Sequence, residues 1–129
     1  MVKKRQGDIA GAIADYSMAI ERSSASQPAY YNRGAASLEL RDFAGAIADL
    51  TRVIEINPMH ARAYLNRGKA KYELKDAEGA IDDYTKAIEL NGELGEAFKH
   101  RAHAYRSLKK PLLAQKDEKT ALDLANARQ

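Results

Sequence analysis

One arithmetic fact constrains this chain more than any other: it repeats itself every 34 residues without insertion or deletion. Asn32-Arg33-Gly34 returns as Asn66-Arg67-Gly68 and, more loosely, as His100-Arg101-Ala102. The other half of the unit keeps the same step. Gly11-Ala12-Ile13, Gly45-Ala46-Ile47 and Gly79-Ala80-Ile81 correspond, and Asp15, Asp49 and Asp83 follow them. A fixed period of this length marks stacked supersecondary units, because one such unit buries too little apolar surface to fold alone.

Within each half the apolar spacing is helical. Ile9, Ala12, Ile13, Tyr16, Ala19 and Ile20 fall on one stripe of an amphipathic helix, and no period-two alternation suggests a strand. Asp8, Asp42 and Asp76 stand just before these stripes, where a short carboxylate can accept the unpaired N–H groups of a first turn. Pro58 follows Ile56-Asn57, where a helix stops. The unit therefore reads as helix, turn, helix, turn.

These residues resemble the tetratricopeptide repeat. Tyr64, Gly68, Ala80, Tyr84 and Ala87, with Pro58 in the unit before, carry the likeness, as do Tyr30, Gly34, Ala46 and Pro58 in the preceding copy. Gly68 and Ala80 fall where two antiparallel helices must approach closely. The resemblance spans essentially the whole chain and implies an all-α, right-handed superhelical solenoid of antiparallel helix pairs, about seven helices in all. Repeats are assigned to 27–60, 61–94 and 95–128, and residues 1–26 supply a half repeat. In that reading Val2 to Gly7 is the tail of a first helix whose body is missing, and the chain is a piece of a longer repeat protein. A natural start at Met1 is the alternative.

Composition narrows the function classes. The 129 residues carry 21 Lys and Arg against 18 Asp and Glu, a formal charge of +3 with both signs interspersed, so no continuous basic stripe points to nucleic acid. No Cys is present, which excludes thiol chemistry and Cys-ligated metals but leaves the compartment open. Charges interrupt every apolar run, so no membrane insertion is expected. No phosphate-binding glycine loop or nucleophile-base constellation is visible, so the chain reads as a non-enzyme without cofactor. Glu96, His100 and His103 share a helix face, yet exposed histidines explain that spacing better than a metal site does.

The resemblance implies that the first helices of the repeats line a concave groove for a peptide or partner segment. On α-helical spacing, the candidates in the second repeat are Arg62, Leu65, Asn66, Lys69, Tyr72 and Glu73. Tyr31, Asn32, Leu38 and Glu39 precede them at matching offsets, and Glu96, Lys99, His100, His103 and Arg106 follow. This mixed, slightly basic surface suits an acidic or carboxylate-terminated segment. One subset of the family clamps acidic chaperone tails with Lys and Asn; here only Asn66 matches, while Tyr31, Ala35, Glu96 and His100 depart from that pattern.

Two further regularities stand out. Ile9, Ile13, Tyr16 and Ile20 keep a full apolar stripe without a helix to cover it, which suggests self-association and a homo-oligomer as the rival function. Arg33, Arg67 and Arg101 share one offset and Asp15, Asp49, Asp83 and Asp117 another. Repeated ion pairs are expected. Pairing within a repeat leaves Asp15 alone, and pairing across the boundary leaves Asp117 alone. In the last repeat Leu113 replaces the small residue of the Gly series and Glu118 replaces the aromatic, so that helix is expected to face solvent and end the array.

Overall fold

The computed structural model describes residues 2–23 and 26–128, with side chains from residue 7 onward. Among the described residues there are seven helices and no strand: α1 (Val2–Arg22), α2 (Gln27–Glu39), α3 (Phe43–Ile56), α4 (Ala61–Glu73), α5 (Ala77–Leu90), α6 (Gly95–Ser107) and α7 (Pro111–Ala127). The first helices begin at 27, 61 and 95 and end at 39, 73 and 107, so the sequence period is reproduced residue for residue. None of the described helices is long and apolar enough to cross a membrane.

The chain divides into two compact units, residues 1–59 and 60–129. In the first, α2 packs on both α1 and α3; in the second, α4 packs on α5, α5 on α6 and α6 on α7. The core is built from the small and apolar residues of the repeat. Ala46, Leu50 and Val53 are completely buried, as are Ala80, Ala87 and Ala114, and Tyr84 is 1% exposed.

Each hairpin turn depends on two local devices. Arg41, Lys75 and Lys109 take left-handed backbone conformations with φ of 64°, 71° and 59°. The amide of the next residue then donates back into the preceding helix: Asp42 N to Ser37 O, Asp76 N to Lys71 O and Lys110 N to Tyr105 O, each at 2.9 Å. The second helix is capped by a carboxylate, since Asp42 Oδ1 accepts from Gly45 N at 3.1 Å and Asp76 Oδ1 from Gly79 N at 2.9 Å. A Cβ at Gly79 would lie 2.2 Å from the Asp76 carboxylate, so the cap requires glycine three residues on. Helix α7 has Lys110 in place of the capping Asp, which is why Leu113 fits there. His60 caps α4 by accepting from Ala63 N at 3.1 Å through Nδ1.

The N-terminal end departs from the expectation. Val2 to Gly7 is not a separate helix tail, because α1 runs unbroken from Val2 to Arg22. Asp8 lies inside this helix rather than at a cap. Gly7 stands at the offset of Arg41, Lys75 and Lys109, yet no glycine in the described residues has positive φ. The turn at those other positions is stabilised by two helices packing against each other. Here the segment instead continues the helical ladder, which adds one hydrogen bond per residue once a nucleus exists.

Candidate functional site

The Arg–Asp series settles into one geometry. Arg33 donates through Nε and Nη2 to Asp49 at 2.7 Å each, Arg67 to Asp83 at 2.9 and 2.8 Å, and Arg101 to Asp117 at 2.7 and 2.8 Å. Pairing is thus within the repeat, and Asp15 is exposed. Planar guanidinium matches carboxylate with two parallel bonds, a geometry Lys cannot reproduce. The hydrogen bond to its Asp, outweighing burial, raises the pKa of each Arg. An aromatic one turn earlier lies against each cation: Tyr30, Tyr64 and Phe98 have ring centres 5.8, 5.7 and 5.6 Å from the guanidinium carbons. These arginines join helices together and are not available as ligand-binding groups.

The groove candidates of the second unit lie on α4 and α6, and Glu96 organises them. Its carboxylate is 3.4 Å from Lys69 Nζ, 3.6 Å from Arg62 Nη1 and 3.7 Å from His100 Nε2. Burial pushes the Glu96 pKa up, but Lys69, His100 and Arg62 together outweigh it and hold it below the usual value of a glutamate carboxyl. For His100 burial is the largest influence, reinforced by Lys69, and the imidazole pKa is lowered. His100 also stacks on Tyr84, with ring centres 5.9 Å apart.

Beside this cluster is an open recess of about 220 Å³ lined by Tyr72, Glu73, Tyr84, His100 and His103. The Tyr72 hydroxyl is 2.7 Å from Ser107 Oγ, which links α4 to α6 at the far end. Arg106 is bound by Glu118 of α7 through two hydrogen bonds of 2.8 and 2.6 Å. The three repeats therefore place Leu38 with Leu50, Tyr72 with Tyr84 and Arg106 with Glu118 at one pair of offsets, apolar at first and ionic at last.

Several expectations need correction. Leu65 is completely buried and presents no surface to a ligand. Its apolar identity, flanked at the same offset by Tyr31 and Lys99, was the signal. Asn66 is 9% exposed and likewise belongs mostly to the interior. Lys99, His103 and Arg62 are exposed, Lys69, Tyr72 and His100 half-buried. In the first unit Tyr31 is half-buried and Asn32 exposed on α2. Ile9, Ile13, Tyr16 and Ile20 are all half-buried rather than uncovered, since α2 packs along one side of α1. Glu118 is exposed, as a solvent-facing last helix requires, but it is paired. Among the described residues no group of three His, Asp or Glu side chains gathers as a metal site would require.

A tetratricopeptide-repeat family model matches residues 2–56 and 31–94. The chain belongs to the tetratricopeptide repeat family. Its fold is similar to that of a MamA protein crystal structure, with a TM-score of 0.85 and 26% identity over 92% of this chain and 64% of that one. This chain therefore spans under two thirds of that protein. MamA 41-end from Desulfovibrio magneticus RS-1 superposes with a TM-score of 0.89 at 22% identity, covering 96% and 70% of the two chains. The Arabidopsis OM64 TPR domain gives 0.75 at 28% identity, covering 77% and 82%. None of the curated proteins compared with the chain matches it in sequence.

Proposed function

We propose that this chain is a non-catalytic interaction module that holds a peptide or partner segment along the face formed by α4 and α6. The observation that carries the reading is the recess at Tyr72, Tyr84, His100 and His103, lying beside a cluster of Lys69, Arg62 and His100 around the Glu96 carboxylate. Aromatic walls supply apolar contact area, and the flanking charges fix the orientation of an extended backbone. Tyr31 and Asn32 stand at matching repeat offsets on α2 of the first unit.

Glu96 determines what the ligand must offer. It already neutralises Lys69 and Arg62, so an acidic segment binds here by displacing Glu96 from them, while Lys99 and His103 remain exposed to guide it. An acidic ligand thus competes with a carboxylate that the protein provides itself.

The test is selection from a displayed peptide library on the intact chain, followed by titration of the winning peptide. Lys69→Glu combined with Lys99→Glu should abolish binding. Glu96→Gln should strengthen binding of an acidic peptide several-fold. Selected peptides that bind both variants as well as the parent would refute the reading. Arg106 is a poor choice for this test, because Arg106→Glu would set two carboxylates against each other at Glu118.

A further inference from the structure

The face formed by α4 and α6 changes character along its length. Arg62 meets Glu96 near the start of both helices and Tyr72 meets Ser107 near their ends, so the two helices run in the same direction. Lys69 of α4 and Lys99 of α6 supply cations. One helical turn further on, a rise of ~6 Å, the same two rows carry Glu73 and His103 instead.

Those later residues border the recess of about 220 Å³, with Tyr72, Tyr84 and His100. Among the described residues, no Lys or Arg lines it. Its rings are held in place: the Tyr72 hydroxyl is 2.7 Å from Ser107 Oγ, and Tyr84 stacks on His100 with ring planes 28° apart. Burial above all, then Tyr72, Asp83 and Glu73, pushes the Tyr84 pKa up, so added negative charge is unwelcome at this wall. Burial lowers the His100 pKa below 6.5, so that imidazole is neutral at pH 7.5. Neutral rings beside a carboxylate form a setting that favours a cation.

We propose that the recess takes the side chain of an arginine in the bound segment, two positions away from an acidic residue held by Lys69 and Lys99. This rests on the reading of the α4 and α6 face as a peptide site and specifies its ligand. Alternate residues of an extended chain are about 6.6 Å apart, which matches the one-turn offset between the two subsites. A guanidinium suits the recess because it is planar, weakly hydrated and able to lie on rings while bonding a carboxylate. The protein's own interior uses that combination, with Arg67 against Tyr64 and Asp83, and Arg101 against Phe98 and Asp117. A purely acidic segment leaves Glu73 facing like charge, and a purely basic one meets Lys69 and Lys99.

The probe is N-acetyl-L-arginine N-methylamide, titrated against the intact chain at pH 7.5 while nuclear magnetic resonance follows the Tyr72, His100 and His103 side chains. Saturable shifts are expected at all three rings. The uncharged citrulline counterpart should bind about fivefold more weakly, and Glu73→Gln should weaken the arginine probe about threefold without changing the citrulline one. Glu73 is exposed on its helix, so circular dichroism of the variant should match the parent. Rings that stay unmoved, equal binding of arginine and citrulline, a preference for the lysine counterpart, or indifference to Glu73→Gln would each overturn the proposal. Library-selected peptides that occupy the face without a basic residue would overturn it too, and leave the interaction module standing. Saturation by the arginine probe with no peptide selected would support the recess assignment and count against the peptide reading instead.

Discussion

Arg101 grips Asp117 with two hydrogen bonds of 2.7 and 2.8 Å, and the carboxylate side chain is only 4% exposed. A charge this deep is tolerable only while its partner remains. Asp117→Ala should therefore destabilise the chain by about 3–5 kcal/mol in urea unfolding, because it leaves the Arg101 guanidinium without its carboxylate, against only Thr85 and the rings of Phe98 and Tyr105. Replacing both residues, with Arg101→Met and Asp117→Leu, should recover most of that loss. Equal damage from the single and double variants would show that the pair contributes through more than its charge.

Gly68 faces the buried ring of Tyr84, whose Cε1 would lie 2.6 Å from an added Cβ. Gly68→Ala should cost about 1–3 kcal/mol, since a rigid ring cannot yield as an aliphatic side chain does. At Gly34 the facing atom is Leu50 Cγ at 3.0 Å, and Gly34→Ala should cost less. Adding Tyr84→Leu to Gly68→Ala should shrink the penalty of the alanine. Thermal unfolding of these three variants, with Tyr84→Leu alone as the reference for the double variant, decides this.

Lys75 occupies the left-handed region at φ 71°, where a side chain is strained and glycine is not. Lys75→Gly should raise stability by about 0.5–1 kcal/mol despite the greater freedom glycine has in the unfolded chain. A lower melting temperature would indicate that the Lys75 side chain contributes more than its backbone costs.

The pH dependence has a definite sign. Burial, with Lys69 next in size, lowers the His100 pKa from 6.5, so the unfolded chain binds this proton more readily than the folded one. Stability is then fully present above pH 6.5 and is lost as pH falls through the lower folded value. Glu96 is also lowered, from 4.5, so its share persists above that pH and disappears below it. Lys69, Arg62, Lys99 and His103 are the charged or titratable neighbours that set this balance, with Glu73 and Tyr72 bordering the same recess. Urea midpoints measured from pH 7.5 to 4 should decline in those two stages, and His100→Gln should flatten the upper one. Identical profiles for parent and variant would contradict the assignment.

Much of this architecture was legible because the repeat sets both helix boundaries and core positions. The capping pairs Asp42 with Gly45 and Asp76 with Gly79 announced two helix starts correctly. The same signature at Asp8 and Gly11 misled, since α1 runs unbroken from Val2 through both residues to Arg22. The pairing of Arg with Asp was ambiguous by spacing alone. The hydroxyls Ser17 and Thr85 held the missing signal, because each lies within hydrogen-bond reach of the Arg of the following first helix while the Asp stays within the repeat. At α7 that series ends in Lys119, which could not accept from a following Arg. Leu65 was placed on the ligand face by helical spacing, yet its apolar side chain is drawn inside. Glu96 was noted as a departure from a cationic clamp, but only the fold shows it drawing Lys69, Arg62 and His100 together.

The central claim is that a partner segment lies along α4 and α6. Amide and side-chain shifts of the intact chain, followed by nuclear magnetic resonance during titration with a library-selected peptide, test it most directly. The account predicts saturable changes concentrated at Lys69, Tyr72, Lys99, His100 and His103, with loss of the Lys69 contact to Glu96 when the peptide is acidic. Changes confined to other faces, with those five residues unmoved at saturation, would contradict it.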